Sequence, residues 1–270
     1  MAKKIQRVII AGCCGRMGKR ISALAQSAKD ISLAGGFEFP KHKTVGKAFL
    51  EYVGVGPTTV IGSSLSGVAK KGDVVIDFTG PESTIENVKS AARLGVKMVI
   101  GTTGLSKVQE KKIAQAAKKI PIVFAPNMSV GMNLMFKISQ LVASVLDDGY
   151  DIEIVEAHHR NKKDAPSGTA LGLAKSVAAG RKVHLEQKAE YGRNGMCGVR
   201  KKGNIGIHAI RGGDVVGDHT VSFMADGERI ELTHKASSRD AFAQGAVKAA
   251  SFLSKKRSGL FTMQDVLGLA

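Results

Sequence analysis

Between Asp151 and Ala170 the chain concentrates side chains that can move protons or hold anions: His158, His159, Arg160, Lys162 and Lys163, followed by Pro166, Ser167, Gly168 and Thr169. An imidazole titrates near neutrality, and a lysine set among other cations can have its pKa lowered, so either histidine and either lysine is a candidate acid or base. Ser167 is a good N-cap, and Leu171, Leu173, Ala174 and Val177 give the residues after it the apolar positions of a packed helix running to about Ala179. A helix start carries unpaired amides and a partial positive charge. The implied ligand is a carboxylate or a phosphate. The competing reading is a solvated basic loop with one structural histidine.

The elements around this loop must position it. Ile152, Ile154 and Ala157 read as a short strand leading into it, and the polar run with Pro166 inside it rules against one continuous helix. A second chemical cluster lies near the start of the chain. The apolar run from Val8 to Ala11 turns into Gly12, Cys13, Cys14, Gly15, Arg16, Met17 and Gly18, after which Ile21, Leu24 and Ala25 keep helical spacing. Strand, glycine turn and helix are what a dinucleotide site needs: a tight turn, a backbone that a pyrophosphate can approach, and close packing of helix on strand. The glycines follow a GxxGxxG pattern, a weak signal alone that its strand-to-helix setting strengthens. Ile31 to Glu38 supplies the next strand, with Glu38 placed to take a ribose, the alternative being an ordinary surface glutamate.

Further strands are expected at residues 73–78, 96–100 and 121–125, each followed by a turn rich in Gly, Thr, Asn or Pro and alternating with helices. Ligands of such sheets lie at the carboxyl ends of the strands, which directs Gly101, Thr102, Thr103 and Asn127 toward one crevice, with Ala125, Pro126 and Met128 beside Asn127 taken as further cofactor candidates. For Thr102 and Thr103 the plain alternative is turn or capping chemistry. Residues 130–146 predict a helix with Leu134, Met135, Ile138, Leu141, Val142 and Val145 apolar. The segments 205–210, 215–216, 219–224 and 228–234 predict a mixed sheet, with hairpin turns at Arg211 to Asp214 and at Ala225 to Glu228. A last helix spans about Arg239 to Lys255, and a short tail follows from Phe261 to Leu269.

The fold class is therefore α/β: a doubly wound, Rossmann-like nucleotide-binding domain of residues 1–129 plus 240–270, and an α+β substrate and oligomerisation domain with a mixed sheet at 130–239. Lys and Arg number 40 against 23 Asp and Glu, a formal charge of +17 that favours anionic partners. Nucleic acid is disfavoured, because the basic residues are dispersed and no RNP-like aromatic pattern or zinc-ligand array accompanies them. Cys13, Cys14 and Cys197 fit neither a disulfide framework nor a zinc spacing, and no secretory or membrane-length apolar run is present. The expected location is the cytoplasm, with no membrane partner. For Cys13 and Cys14 a redox-sensitive loop is weighed against two small side chains tolerated in a turn.

The chain resembles the bacterial 4-hydroxy-tetrahydrodipicolinate (dihydrodipicolinate) reductase family over nearly its whole length. The resemblance rests on the glycine loop, on Ile76 to Thr79, Gly101 to Gly104, Ala125 to Gly131, Glu156 to Arg160, Ile205 to His208, Arg211 to Asp214, Gly217 to Thr220 and His234 to Arg239. Most specific is Lys162 through Ala170. It implies reduction of a cyclic imine dicarboxylate by NADH or NADPH on the way to diaminopimelate and lysine, without a metal, in a homotetramer built through the central sheet. It also implies His158 as proton donor or acceptor, Lys162 as proton donor, and His159, Gly168 and Thr169 as substrate contacts. Phe39 stands where the family often has an arginine for a 2′-phosphate, leaving Lys41, His42 and Lys43 as the nearby cations. A non-catalytic dinucleotide- or nucleic-acid-binding protein on the same fold is the alternative.

Overall fold

The computed structural model describes residues 5–269. In chain order the first elements are β1 (Gln6–Ala11), α1 (Arg16–Ser27), β2 (Ile31–Phe37), α2 (Phe49–Val53), α3 (Leu65–Val68), β3 (Val74–Asp77), α4 (Pro81–Leu94), β4 (Lys97–Ile100), α5 (Lys107–Ala117) and β5 (Pro121–Phe124). There follow α6 (Val130–Val145), β6 (Asp151–His158), α7 (Gly168–Arg181), α8 (Leu185–Lys188), β7 (Ala189–Tyr191), β8 (Ile205–Arg211), β9 (Gly217–Ala225) and β10 (Glu228–Ala236). The chain ends with α9 (Asp240–Leu253), β11 (Gly259–Phe261) and α10 (Met263–Leu267). It forms two compact units, Met1–Val130 with Asp240–Ala270, and Gly131–Arg239.

In the first unit six parallel strands run in the order β11-β5-β4-β3-β1-β2. These strands are apolar without alternation because both faces are covered. Val8, Ile10, Val74 and Ile76 join Ile21, Ala25, Ala246 and Leu253 from α1 and α9, whereas Ile9, Ala11, Val75 and Met98 join Val88 and Ile113 from α4 and α5. Burying each such aliphatic side chain contributes about 1.5–3 kcal/mol. The chain steps outward from β1 to β2 and then returns past β1 to β3, so the strand order reverses between β1 and β3. That is where an open α/β sheet holds ligands.

The sequence reading left residues 261–269 as a tail. They instead follow and include the end of β11, whose three residues pair with β5 and are too few to show a period, and they contain α10 with a Thr262 capping box. The short helices α2, α3 and α8 and the strand β7 were likewise below the reach of periodicity.

The second unit holds a five-stranded mixed sheet in the order β10-β9-β6-β8-β7. Ile152 and Ile154 of β6 pack with Ile205, Ile207, Val221 and Phe223 of its neighbours against Met132 and Met135 of α6 and Leu173 and Val177 of α7. Asp151, Glu153 and Val155 point to the opposite face, as the two-residue period of a strand requires. Asp226 and Gly227 make the expected hairpin between β9 and β10, with Ala225 opposite Glu228.

Arg211 to Asp214 is not a hairpin turn, and Val215–Val216 is not a strand. β8 and β9 lie on either side of β6, so the chain between them crosses the end of β6. Its backbone groups bond to the histidine loop there: Gly212 N to His158 O at 3.0 Å, Arg160 N to Gly213 O at 3.2 Å and His159 N to Val215 O at 2.7 Å. α6 forms where the sequence predicts it, but most of its apolar positions are not the buried ones. Leu134, Ile138, Leu141 and Val145 are exposed in the chain, and the helix buries Met132, Asn133, Met135, Ser139 and Ala143 instead.

Candidate active site

Gly12 opens the turn after β1 at φ +64°, and a Cβ there would lie 2.9 Å from Thr79 Cγ2. Gly18 packs α1 onto the turn so closely that a Cβ would lie 2.2 Å from the Gly12 carbonyl oxygen. Both positions therefore require glycine, and Gly15 becomes the N-cap of α1 with Arg16 and Met17 in its first turn. Glu38, nearly buried just beyond β2, accepts the Cys14 amide on Oε1 at 2.8 Å, which ties the ribose candidate to the glycine loop. Beside them is a cavity of about 720 Å³ lined by Gly12, Cys14, Glu38, Phe39, His42 and Glu86, among others. It fits a dinucleotide half: backbone amides at a helix start on one side, a carboxylate and an exposed aromatic ring on the other.

Phe39 meets His42 edge to face with ring centroids 5.2 Å apart, and His42 Nδ1 is 2.7 Å from Thr44 Oγ1. Lys41 and Lys43 are exposed and stand outside the cavity lining. Cys13 is fully buried, and burial above all, then Cys14 and Glu38, pushes its thiol far up, which opposes a reactive thiolate.

Gly101, Thr102, Thr103, Ala125, Pro126, Asn127 and Met128 follow the carboxyl ends of β4 and β5, and none of them lines that cavity. Thr102 is buried, with its hydroxyl 2.8 Å from that of Thr84, and Asn127 Oδ1 caps Ser129 N at 2.9 Å. Thr103 and Pro126 are exposed. Asp77, which the sequence reading passed over as strand, organises this rim. It accepts from Thr79 N at 2.9 Å, Thr79 Oγ1 at 2.6 Å and Asn87 Nδ2 at 2.8 Å.

In the second unit the strand period sets Glu156 and His158 on the helix-covered face, beyond Ile152 and Ile154. Glu156 is fully buried and gathers four donors. His158 Nδ1 lies 2.5 Å from Oε2, Arg211 reaches both oxygens at 2.8 Å, and Ser167 N donates at 2.9 Å. Burial pushes the Glu156 carboxyl up, but Arg211, His158 and Ser167 outweigh it and hold it below the usual range. A carboxylate only accepts, so the proton of neutral His158 sits on Nδ1 and Nε2 is left as an acceptor. Burial lowers the His158 pKa against the opposing pull of Glu156, which keeps that neutral form in place.

His219 stands edge to face with His158, centroids 5.1 Å apart, with Nε2 3.2 Å from Ser167 Oγ. Burial, then His158, drives its pKa down to about 3, so it is a neutral wall and not a proton carrier. Ser167 caps α7 by accepting Ala170 N at 3.1 Å, and Gly168 begins the helix exposed, with Thr169 next. Lys162 is paired with Asp164 at 2.9 Å, and Arg211 also holds the Asp164 carbonyl at 2.5 Å.

Thus His158 and the start of α7 meet at Glu156, and Lys162 is tied into the same loop through Asp164 and Arg211. Glu156, Arg211 and His219 were absent from the sequence-derived site. The available signal was the alternation of β6: an acid in phase with Ile152 and Ile154 falls on a buried face and needs cationic partners.

The dihydrodipicolinate reductase N-terminus and C-terminus families match residues 6–128 and 131–267. The chain belongs to the dihydrodipicolinate reductase family. Among its relatives, the 4-hydroxy-tetrahydrodipicolinate reductase of Magnetococcus marinus is 49% identical over 97% of this chain and 98% of its own. That of Nitrosomonas europaea is 47% identical with the same coverage of both. A solved structure, the dipicolinate-bound dihydrodipicolinate reductase from Paenisporosarcina sp. TG-14, is 25% identical, covers 97% of this chain and 98% of its own, and superposes with a TM-score of 0.73. Family membership disfavours a non-catalytic binding protein on the same fold.

Proposed function

We propose that this chain is an NAD(P)H-dependent 4-hydroxy-tetrahydrodipicolinate reductase, a cytoplasmic oxidoreductase that makes tetrahydrodipicolinate for diaminopimelate and lysine synthesis. The observation that carries the reading is that a chain matching these reductases along its length has both a glycine-turn cleft and a basic loop locked by Glu156 at a helix start. A bound reduced nicotinamide supplies the hydride. The residues of the loop supply the rest. Reduction of a conjugated imine leaves a carbon that must take a proton, and Lys162 gives it while its charge stabilises the anion that precedes protonation. Neutral His158, oriented by Glu156, offers Nε2 as an acceptor and positions the substrate. His159, Gly168 and Thr169 hold the carboxylates at the start of α7.

Glu38 favours NADH, since a 2′-phosphate would meet its charge and the cavity's other acids, while Lys41 and Lys43 are exposed point charges. The cysteines are unpaired, which suits a reducing compartment. The open face of the five-stranded sheet supports assembly into a homotetramer, and size exclusion at micromolar concentration reads that directly: a monomer alone would refute it. For the reaction, protein is mixed with reduced cofactor and the aldol product of the preceding enzyme. Loss of nicotinamide absorbance is expected, and no turnover with either cofactor would refute the reductase.

A further inference from the structure

Cys13, Cys14 and Glu38 each bring one ligand atom to the same spot, and these atoms all lie within 4.8 Å of one another. This is neither a lone thiol nor an exposed acidic patch. Cys13 is fully buried and Glu38 nearly so, and Cys14 and Glu38 are in the wall of the dinucleotide cavity, which gives an ion a way in. Gly36 makes the room: a Cβ there would lie 2.6 Å from Cys13 Cβ and 3.0 Å from its sulfur. Around a tetrahedral zinc ion, ligands at about 2.3 Å stand roughly 3.8 Å apart, so small χ1 rotations suffice to close the observed spacing. Cys14 Sγ now rests 3.4 Å from Thr44 Oγ1, a weak contact to give up. Glu38 can keep Oε1 on the Cys14 amide, because a carboxylate has further lone pairs to offer a metal.

We propose that Cys13, Cys14 and Glu38 form an inhibitory site for a thiophilic divalent cation, zinc or cadmium, whose occupancy excludes the dinucleotide. On binding, both thiols lose their protons to solvent, two sulfur–metal bonds and one oxygen–metal bond form, and a water completes the four ligands. No electron moves. The ion takes the carboxylate meant for the ribose and sits over the glycine turn, so metal and dinucleotide compete. The competition rests on the dinucleotide reading of the cleft. The metal site does not.

The test uses the full chain carrying Cys197→Ser, which removes the exposed third thiol. Cadmium chloride is titrated while the ultraviolet sulfur-to-cadmium charge-transfer band is followed, against a background that contains no tryptophan. The expected result is saturation at one equivalent with release of about two protons. Cys14→Ser should abolish the band, and Glu38→Gln should weaken binding while retaining it. Circular dichroism of each variant keeps a folding failure from passing as a lost ligand, and NADH suppression of the band in the Cys197→Ser protein gives a readout that needs no further substitution. At cadmium ten times its own Kd, the apparent Kd for NADH should rise about elevenfold by mass action, and EDTA should restore it. No band in the Cys197→Ser protein, or a band that survives Cys14→Ser, overturns the site. A band with NADH binding unchanged overturns the inhibition. If the band forms but NADH fails to bind even without metal, the site stands and the dinucleotide reading falls.

Discussion

Two glutamates of strand β6 stand three residues apart, each wrapped in arginine and histidine on opposite faces of the sheet. Glu156 faces the helices. It has one arginine, one imidazole and the amide of Ser167, so its charge is matched, and Lys162 of the adjoining loop pairs with Asp164. Glu153 faces the other side. It holds Arg193 at 2.8 and 3.0 Å, Arg200 at 2.8 Å and His208 Nε2 at 2.6 Å, and so pins the segment between β7 and β8 onto the open face of the sheet. Burial pushes the Glu153 carboxyl up, but Arg193, His208 and Arg200 outweigh it and bring its pKa to about 2. The same residue types thus build a support for the proposed catalytic loop and a structural clasp. What separates them is what lies beyond each carboxylate: the basic loop proposed to hold the substrate in one case, the clasped segment itself in the other.

The largest effect that could break this contrast is on turnover. Lys162→Ala should lower kcat by about 10²–10⁴-fold with NADH affinity unchanged, whereas Arg193→Ala should leave kcat near that of the parent. Stopped-flow rates beside fluorescence titration of NADH check it. If Lys162→Ala were active and Lys163→Ala inactive, the proton donor would be one residue along.

The next effect is on stability. Arg211→Ala removes the cation bonded to the fully buried Glu156, leaving it only neutral His158 and the Ser167 amide, and should cost about 3–5 kcal/mol. Arg193→Ala leaves Glu153 its other partners and should cost about 1 kcal/mol or less. Urea midpoints of the two variants give the ranking, and equal losses would erase the distinction between the two carboxylates.

Acid should then separate the clusters along the pH axis. His219 titrates near 6.5 when unfolded and at about 3 when folded, so the unfolded chain binds the extra proton between those values and stability falls as pH drops through that window. Glu153 titrates at 4.5 unfolded and about 2 folded, and its contribution is present above 4.5 and lost as pH falls toward 2. His219→Gln should flatten the upper part of the melting-temperature profile and leave the lower part steep. A profile unchanged by that substitution would mean His219 is not buried neutral.

The smallest expected effect concerns the cofactor. NADH should be used at least as well as NADPH, and NADPH affinity should weaken more between low and high salt, because Lys41 and Lys43 are exposed. An NADPH preference that persists in high salt would reveal a buried phosphate contact.

The parallel sheet was legible because apolar runs broken by glycine turns repeat, and the glycine loop because Gly12 and Gly18 allow no other residue. The basic loop was legible by composition, and Ser167 by its capping position. What stayed hidden depends on contacts distant in sequence. Arg211 reaches Glu156 across 55 positions, and the glycines after Arg211 look like a hairpin until β6 is found between β8 and β9. On α6 the apolar positions do not mark the packed side, which includes Asn133 and Ser139 while Leu134 and Leu141 are exposed, so hydropathy alone does not identify its buried face.

Because α9 and β11 belong to the first unit, a ribosome delivers the whole of the second unit before the first can be finished. While residues 240–261 are still in the tunnel, the side of the parallel sheet that includes Val8 and Val74 lacks its Ala246 and Leu253 cover, and β5 lacks its outer neighbour. The middle of the polypeptide can close first and the cleft at its beginning last, an order of maturation opposite to the order of reading. A nascent chain held with Asp240 and everything after it still in the tunnel should therefore have a protected second sheet and bind no dinucleotide.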